Sequence, residues 1–281
     1  MSLPRALALI VVAGCAVEGP EPRLICHNAN CAGGSDTDDD TLDALAASLA
    51  LRTRDGRVLI DGIEIDSVWD RDAQTCRLAH GLEPGNNQPE IGQAARLIER
   101  HLAENRQGRA AHGTSFVLKI ELKTAVTTGG AAHTAEDARL HAHCVLQIID
   151  DVTAAATGSD NHLEVLVDSN DPRLLKTVFD QPRFLSYRDE TPARDRVPIT
   201  FETNLHTRIP DGLVVGVITA SQRDVAQVKP SEIDLADQVL LVWGRTLTLH
   251  QLDDIAIKHP AYIGANNAAE VRAFLDRHHG P

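Results

Sequence analysis

Eight short runs rich in β-branched and aliphatic residues recur along the chain, and helix-period stretches separate most of them. They are RLICH, GIEIDSVWD, SFVLKIELK, HLEVLVDSN, VPITFETNL, GLVVGVITAS, QVLLVWG and AYIGANN. The intervening TLDALAASLAL places Leu42, Leu45, Ala46 and Leu49 on one stripe, the i, i+3, i+4, i+7 spacing of a helix, with Asp40 or Thr41 as its cap. IGQAARLIERHLAEN does the same through Ile91, Ala95, Ile98 and Leu102. TAEDARLHAHCVLQIIDDV, DPRLLKTVFD, LTLHQLDDIAIKH and AAEVRAFLDRH read as further helices, and CRLAHGL as a strand or a hairpin arm. Strands alternating with helices predict βα units and a parallel sheet. Eight such units in about 260 residues fit a closed (β/α)8 TIM barrel as a single α/β domain over 23–281. The rival, a doubly wound open sheet, calls for a Gly-rich phosphate turn after its first strand, and none follows RLICH.

The N-terminus is separate in character. MSLPRALALIVVAGC carries a basic residue, Arg5, and then an apolar run too short for a permanent bilayer span but suited to a signal peptide. VAGC resembles a bacterial lipobox, which predicts a lipoprotein-type signal over 1–15, lipidation of Cys15 and a Pro-rich tether over 16–22. The expected location is extracytoplasmic, with the domain held to a membrane by its lipid anchor. That compartment permits disulfides among Cys26, Cys31, Cys76 and Cys144, in any of three complete pairings. Cys144 lies in a helical pattern and is equally readable as a buried free thiol. No CxxC pair of the zinc type is present.

The 281 residues carry a net charge of −13 with a pI near 5.4, which argues against nucleic acid as a partner. Residues two apart on a strand share a face, so Glu64 and Asp66 point together, as do Glu121 and Lys123. His27 is expected to end its strand and His80 to end CRLAH. Charged side chains at the carboxyl ends of barrel strands form active sites, whereas charge in a packed interior is costly. These residues therefore converge on one mouth. Three carboxylates there repel one another unless a cation joins them, and oxygen ligands favour Ca²⁺ or Mg²⁺. A bound cation would polarise a phosphoryl group, while the two histidines act as general base and general acid. In the second half Asp168, Asn170, Glu202, Asn204, Trp243 and Asn266 fall near strand ends and are candidates for the pocket that reads an alcohol or head group.

LICHN, GIEIDSVWD, LAHG and VLKIELKT, in that order, resemble the phospholipase-C-like phosphodiesterase superfamily of TIM barrels over roughly residues 23–124. IEID, AH and IELK are most similar to glycerophosphodiester phosphodiesterases. That resemblance implies Glu64, Asp66 and Glu121 as metal ligands, His27 and His80 as the acid–base pair, and Lys123 as a phosphate-contacting cation. Two elements differ: His27-Asn28 stands where glycerophosphodiesterases carry His-Arg, and DDDT, ending at Thr41, replaces Glu-Asn-Thr. His-Asn, SVWD and AHG resemble phosphatidylinositol-specific phospholipases C, which implies Asn28 as a fourth ligand, while His-Gly and the Glu-x-Asp strand also resemble spider-venom-type sphingomyelinase D enzymes. The function implied is a metal-dependent phosphoric diester hydrolase acting on glycerophosphodiesters or phospholipid head groups. The alternatives are a catalytically degenerate barrel serving as an extracytoplasmic binding module, or a phosphatidylinositol phospholipase C or sphingomyelinase D-type lipase.

Overall fold

The apolar runs form strands that pair in parallel until the sheet meets itself. In this computed structural model, which describes residues 21–80, 88–105, 115–124, 134–159, 161–184 and 199–279, the strands are β1 Arg23–Cys26, β2 Gly62–Asp70, β3 Thr75–Leu78, β4 Ser115–Lys123, β5 His162–Asp168, β6 Ile199–Asn204, β7 Val217–Ser221, β8 Val239–Gly244 and β9 Tyr262–Ala265. β1 pairs with β9 on one side and β2 on the other, which closes eight parallel strands into a barrel. β3 stands outside the ring, antiparallel to the far end of β2. The expected single-domain (β/α)8 barrel is the observed fold. The expected signal peptide over 1–15, with Cys15, and most of the expected tether lie outside the described residues.

The helices are α1 Leu42–Leu49, α2 Ile91–Glu104, α3 Ala135–Gly158, α4 Pro172–Phe179, α5 Pro230–Leu235, α6 Leu249–Ala256 and α7 Ala268–His279. Threonine caps start three of them: Thr41, Thr134 and Thr248 each accept the first-turn N–H three residues on. Asp40 therefore does not cap α1, and its side chain is available to the barrel mouth. Apolar helix faces and the outward strand faces form one large core, which includes Leu45, Ile65, Ile98, Leu118, Val145 and Leu252. Among the described residues no helix is long and apolar enough to cross a membrane.

Inside the ring the side chains form layers. At the amino-terminal end Arg23, Glu164 and Tyr262 satisfy one another. Ile25, Val117, Leu166, Val217 and Leu241 then make an apolar layer. Above them the same strand faces become charged, and register sets their level. Glu64 aligns with Lys119, Asp66 with Glu121, and Glu121 with Asp168. Gly62 marks where β2 and β4 approach most closely, since a Cβ there would collide with the Val117 backbone.

Two disulfides are present, Cys26–Cys31 across the turn that leaves β1 and Cys76–Cys144 between β3 and α3. Cys144 is thus crosslinked rather than a free thiol, because α3 packs its half-buried face against the hairpin. The second crosslink ties residues 68 apart in sequence and restricts the unfolded chain most. Replacing Cys76 and Cys144 together by alanine should lower the unfolding free energy by roughly 2–4 kcal/mol. Urea denaturation measures it, and an unchanged midpoint would show that the crosslink contributes nothing.

Candidate active site

His27, Asn28, Glu64, His80, Glu121 and Lys123 line one cavity of about 380 Å³ at the carboxyl end of the barrel, a volume that suits a small ligand. Asp66 is fully buried behind them. Every residue expected to act is brought together, although two enter differently. His27 is the first residue of a tight turn, His27–Ala29, rather than the last of β1, because Asn28 and Ala29 take left-handed backbone angles (φ 51° and 56°). That conformation costs an alanine free energy, and the Cys26–Cys31 bridge and Ser48 fix it. The Ser48 hydroxyl donates to the Ala29 carbonyl (2.9 Å) and accepts from the Cys31 N–H (2.8 Å). His80 follows β3 after a bend, two residues past the strand end.

The two imidazoles are held by chemically different partners. His27 Nδ1–H donates to Asn266 Oδ1 at 2.9 Å, and the ring stacks on Trp243 with centroids 5.3 Å apart. An amide oxygen only accepts, so Nδ1 carries the proton and Nε2 carries the lone pair. His80 Nδ1–H donates to Asp66 Oδ2 at 2.6 Å. That bond to the Asp66 carboxylate holds the His80 pKa above the ordinary histidine value.

Carboxylate oxygens of Glu64, Asp66 and Glu121 lie within 4.8 Å of one another. Asp66 Oδ1 and Asn28 Oδ1 are buried with no hydrogen-bond partner among the described residues, as expected of oxygens built to meet a cation. A hard, oxygen-preferring divalent ion therefore fits the residues present. Asp40, Asp66 and His80 form a second group of the same span, but His80 Nδ1 already donates to Asp66 there. Asp40 Oδ1 instead accepts the Asp66 backbone N–H at 3.0 Å, which anchors the backbone of β2 at that residue.

Crowding of acids decides their protonation. Burial, reinforced by the charge of Asp66, lifts Glu121 to about 7. Burial and the same neighbour lift Asp40 well above the usual carboxylate range, and burial with Glu202 does so for Asp168. Burial would raise Glu64 too, but the Lys119 ammonium, followed by His27 and Lys123, outweighs it and holds Glu64 low. Lys123 Nζ sits 2.5 Å from Glu121 Oε1 and 3.2 Å from Asp66 Oδ2.

Of the second-half candidates, Asp168, Asn170, Asn204 and Trp243 line the same cavity. Glu202 is buried against Lys119, and Asn266 holds His27. Sequence reasoning missed Lys119, Asp39 and Arg245. Lys119 was detectable, since it shares strand parity with Glu121 and Lys123. Arg245 pairs with Asp39, whose Oδ2 also accepts from Asn28 at 3.3 Å. No local pattern announces a partnership across 206 positions.

Removing the carboxylate should lower the His80 midpoint, because its charged form loses the favourable partner. In metal-free protein the His80 imidazole should titrate above the ordinary histidine value by NMR, and in Asp66→Asn the midpoint should fall. An unmoved midpoint would show that Asp66 does not set it.

No protein-family model matches the chain, and no curated protein matches its sequence. Solved structures do match. One is a glycerophosphodiester phosphodiesterase from Parabacteroides distasonis, 12% identical, covering 92% of this chain and 99% of that one, with a TM-score of 0.57. Another is a protein from Silicibacter pomeroyi provisionally named a glycerophosphoryl diester phosphodiesterase, 14% identical, covering 92% and 95%, with a TM-score of 0.58. A third, from Galdieria sulphuraria and provisionally named a glycerophosphodiester phosphodiesterase, is 12% identical, covers 91% and 98%, and has a TM-score of 0.52. The chain thus shares the TIM-barrel fold with these solved structures.

Proposed function

We propose that this protein is a metal-dependent phosphoric diester hydrolase that cleaves glycerophosphodiesters or phospholipid head groups. The observation that carries the proposal is the pair of histidines on one cavity, one held through a neutral amide and the other through a carboxylate, beside three clustered acids. The shared fold with solved phosphodiesterases supports it.

Each residue's part follows from its partner. With its proton fixed at Nδ1 by Asn266, His27 presents Nε2 to accept a proton from the attacking water as its oxygen bonds to phosphorus. His80, whose charged form Asp66 favours, gives its proton to the leaving alcohol oxygen as the P–O bond to that oxygen breaks. Proton count balances, because one is taken up as one is delivered. Lys123 borders the same cavity and offers its ammonium to a non-bridging phosphoryl oxygen. Glu64, Asp66 and Glu121, with Asn28 as a fourth oxygen donor, would hold Ca²⁺ or Mg²⁺. Such an ion, when bound, offsets charge that develops on the phosphoryl group. The unpartnered Asn28 Oδ1 favours the phosphatidylinositol phospholipase-like ligand set over the glycerophosphodiesterase one.

We also propose an extracytoplasmic, lipid-anchored location through Cys15. The VAGC motif and two disulfides, which persist in oxidising compartments, support it.

Turnover of bis(p-nitrophenyl) phosphate and glycerophosphocholine with added Ca²⁺ or Mg²⁺ tests the activity. His27→Ala and His80→Ala should each lower kcat by about 10²–10⁴-fold, the usual worth of one positioned acid or base. Glu64→Gln should weaken divalent-ion binding measured by calorimetry. No turnover with either cation, and ion binding untouched in Glu64→Gln, would sink the hydrolase reading.

A further inference from the structure

Below the three clustered acids lies a second carboxylate group that already contains a cation. Lys119 projects from β4 into the barrel with only 3% of its side chain exposed. Its Nζ lies 3.2 Å from Glu64 Oε1, 3.0 Å from Glu202 Oε1 and 3.5 Å from Asp168 Oδ2. Those acids come from β2, β6 and β5, so three strands converge on one ammonium. Such convergence of carboxylate oxygens from separate elements is what a divalent ion would otherwise require. Glu64 belongs to both groups, which makes them neighbours sharing one carboxylate. Glu202 Oε2, fully buried, has no hydrogen-bond partner among the described residues, although Oε1 accepts from Thr219 and faces Lys119. That unpartnered oxygen marks a cradle with coordinating capacity beyond what the ammonium uses.

We propose that Lys119 is a built-in cation occupying a second ion position, so that the barrel mouth admits one divalent ion instead of two. Lys119 also acts as a positioning residue. It draws one Glu64 oxygen down into the barrel and so fixes how that carboxylate is presented to the ion above. Without the ammonium, Glu64, Asp168 and Glu202 become an unneutralised set buried at low dielectric, and a second divalent ion is the species that neutralises them. The inference rests on the reading of Glu64, Asp66 and Glu121 as an ion site.

Calorimetric titration with Mn²⁺, a hard ion accepted by carboxylates, tests it on the full chain. Wild type should bind one equivalent and Lys119→Met two, with the affinity of the first site altered because Glu64 is released. If Lys119→Met does not fold alone, Mn²⁺ should restore its cooperative melting, whereas wild type melts cooperatively without it. The double variant Lys119→Met/Glu202→Gln, with the charge balance returned, should fold without metal and bind one equivalent. A folded Lys119→Met that binds one Mn²⁺ with wild-type affinity overturns the proposal, as does an unfolded one that Mn²⁺ fails to rescue. Wild type binding two equivalents also overturns it while leaving the proposed function intact. Wild type binding none overturns both.

Discussion

Crowded negative charge at the barrel mouth is the constraint on which the rest of this structure depends. Asp40, Glu64, Asp66, Glu121, Asp168 and Glu202 are all buried there. Two carboxylates 4 Å apart repel by about 4 kcal/mol at the effective dielectric of a protein surface, and more inside. Such a cluster survives only if something neutralises it. Three devices are visible. Lys119 and Lys123 place ammonium groups directly among the acids. Burial raises the pKa of Asp40, Asp168 and Glu121, which favours their neutral forms. Oxygens left without partners, at Asn28 and Asp66, face where a divalent ion would complete the balance.

The barrel makes that crowding unavoidable. Parallel pairing in register sets Asp66, Glu121 and Asp168 side by side on successive strands, and closure leaves them no direction in which to spread. The apolar layer of Ile25, Val117, Leu166, Val217 and Leu241 supports the charged layer from below and excludes water from its floor. Stability therefore comes from the outer shell between sheet and helices, while the inner face is given over to charge. The same division recurs in sequence as alternation within single strands, where Leu118, Ile120 and Leu122 face the helices and Lys119, Glu121 and Lys123 face inward.

That alternation explains what could be read in advance. Period-2 and period-3.6 patterns report local geometry, so the eight strands, most helices and the shared faces of Glu64 with Asp66 and Glu121 with Lys123 were legible. The turn at His27–Ala29 was not, because two left-handed residues in succession leave no periodic trace. Long-range pairs were equally hidden. Asn266 meets His27 only because β9 closes against β1, and Arg245 meets Asp39 only across the same seam. Lys119 was overlooked for a different reason. Strand parity with Glu121 and Lys123 points it inward, but the three acids around it come together only on barrel closure.

Asp66 joins the two halves of the chemistry, and its two oxygens divide the work. Oδ2 accepts from His80 and from Lys123, while Oδ1 has no partner among the described residues and is the atom left for an ion. A cation drawn to Oδ1 withdraws charge from the whole carboxylate and weakens its hold on the His80 proton. In the proposed mechanism, ion binding and retention of the His80 proton would then be opposed through one side chain. Asp40 accepts the Asp66 backbone N–H and so anchors the strand from which that carboxylate projects. Lys123, touching Asp66 and Glu121 together, spreads the compensation over both acids. In the proposed mechanism His80 would remain acidic enough to deliver its proton, because the carboxylate that charges it is shared with Lys123.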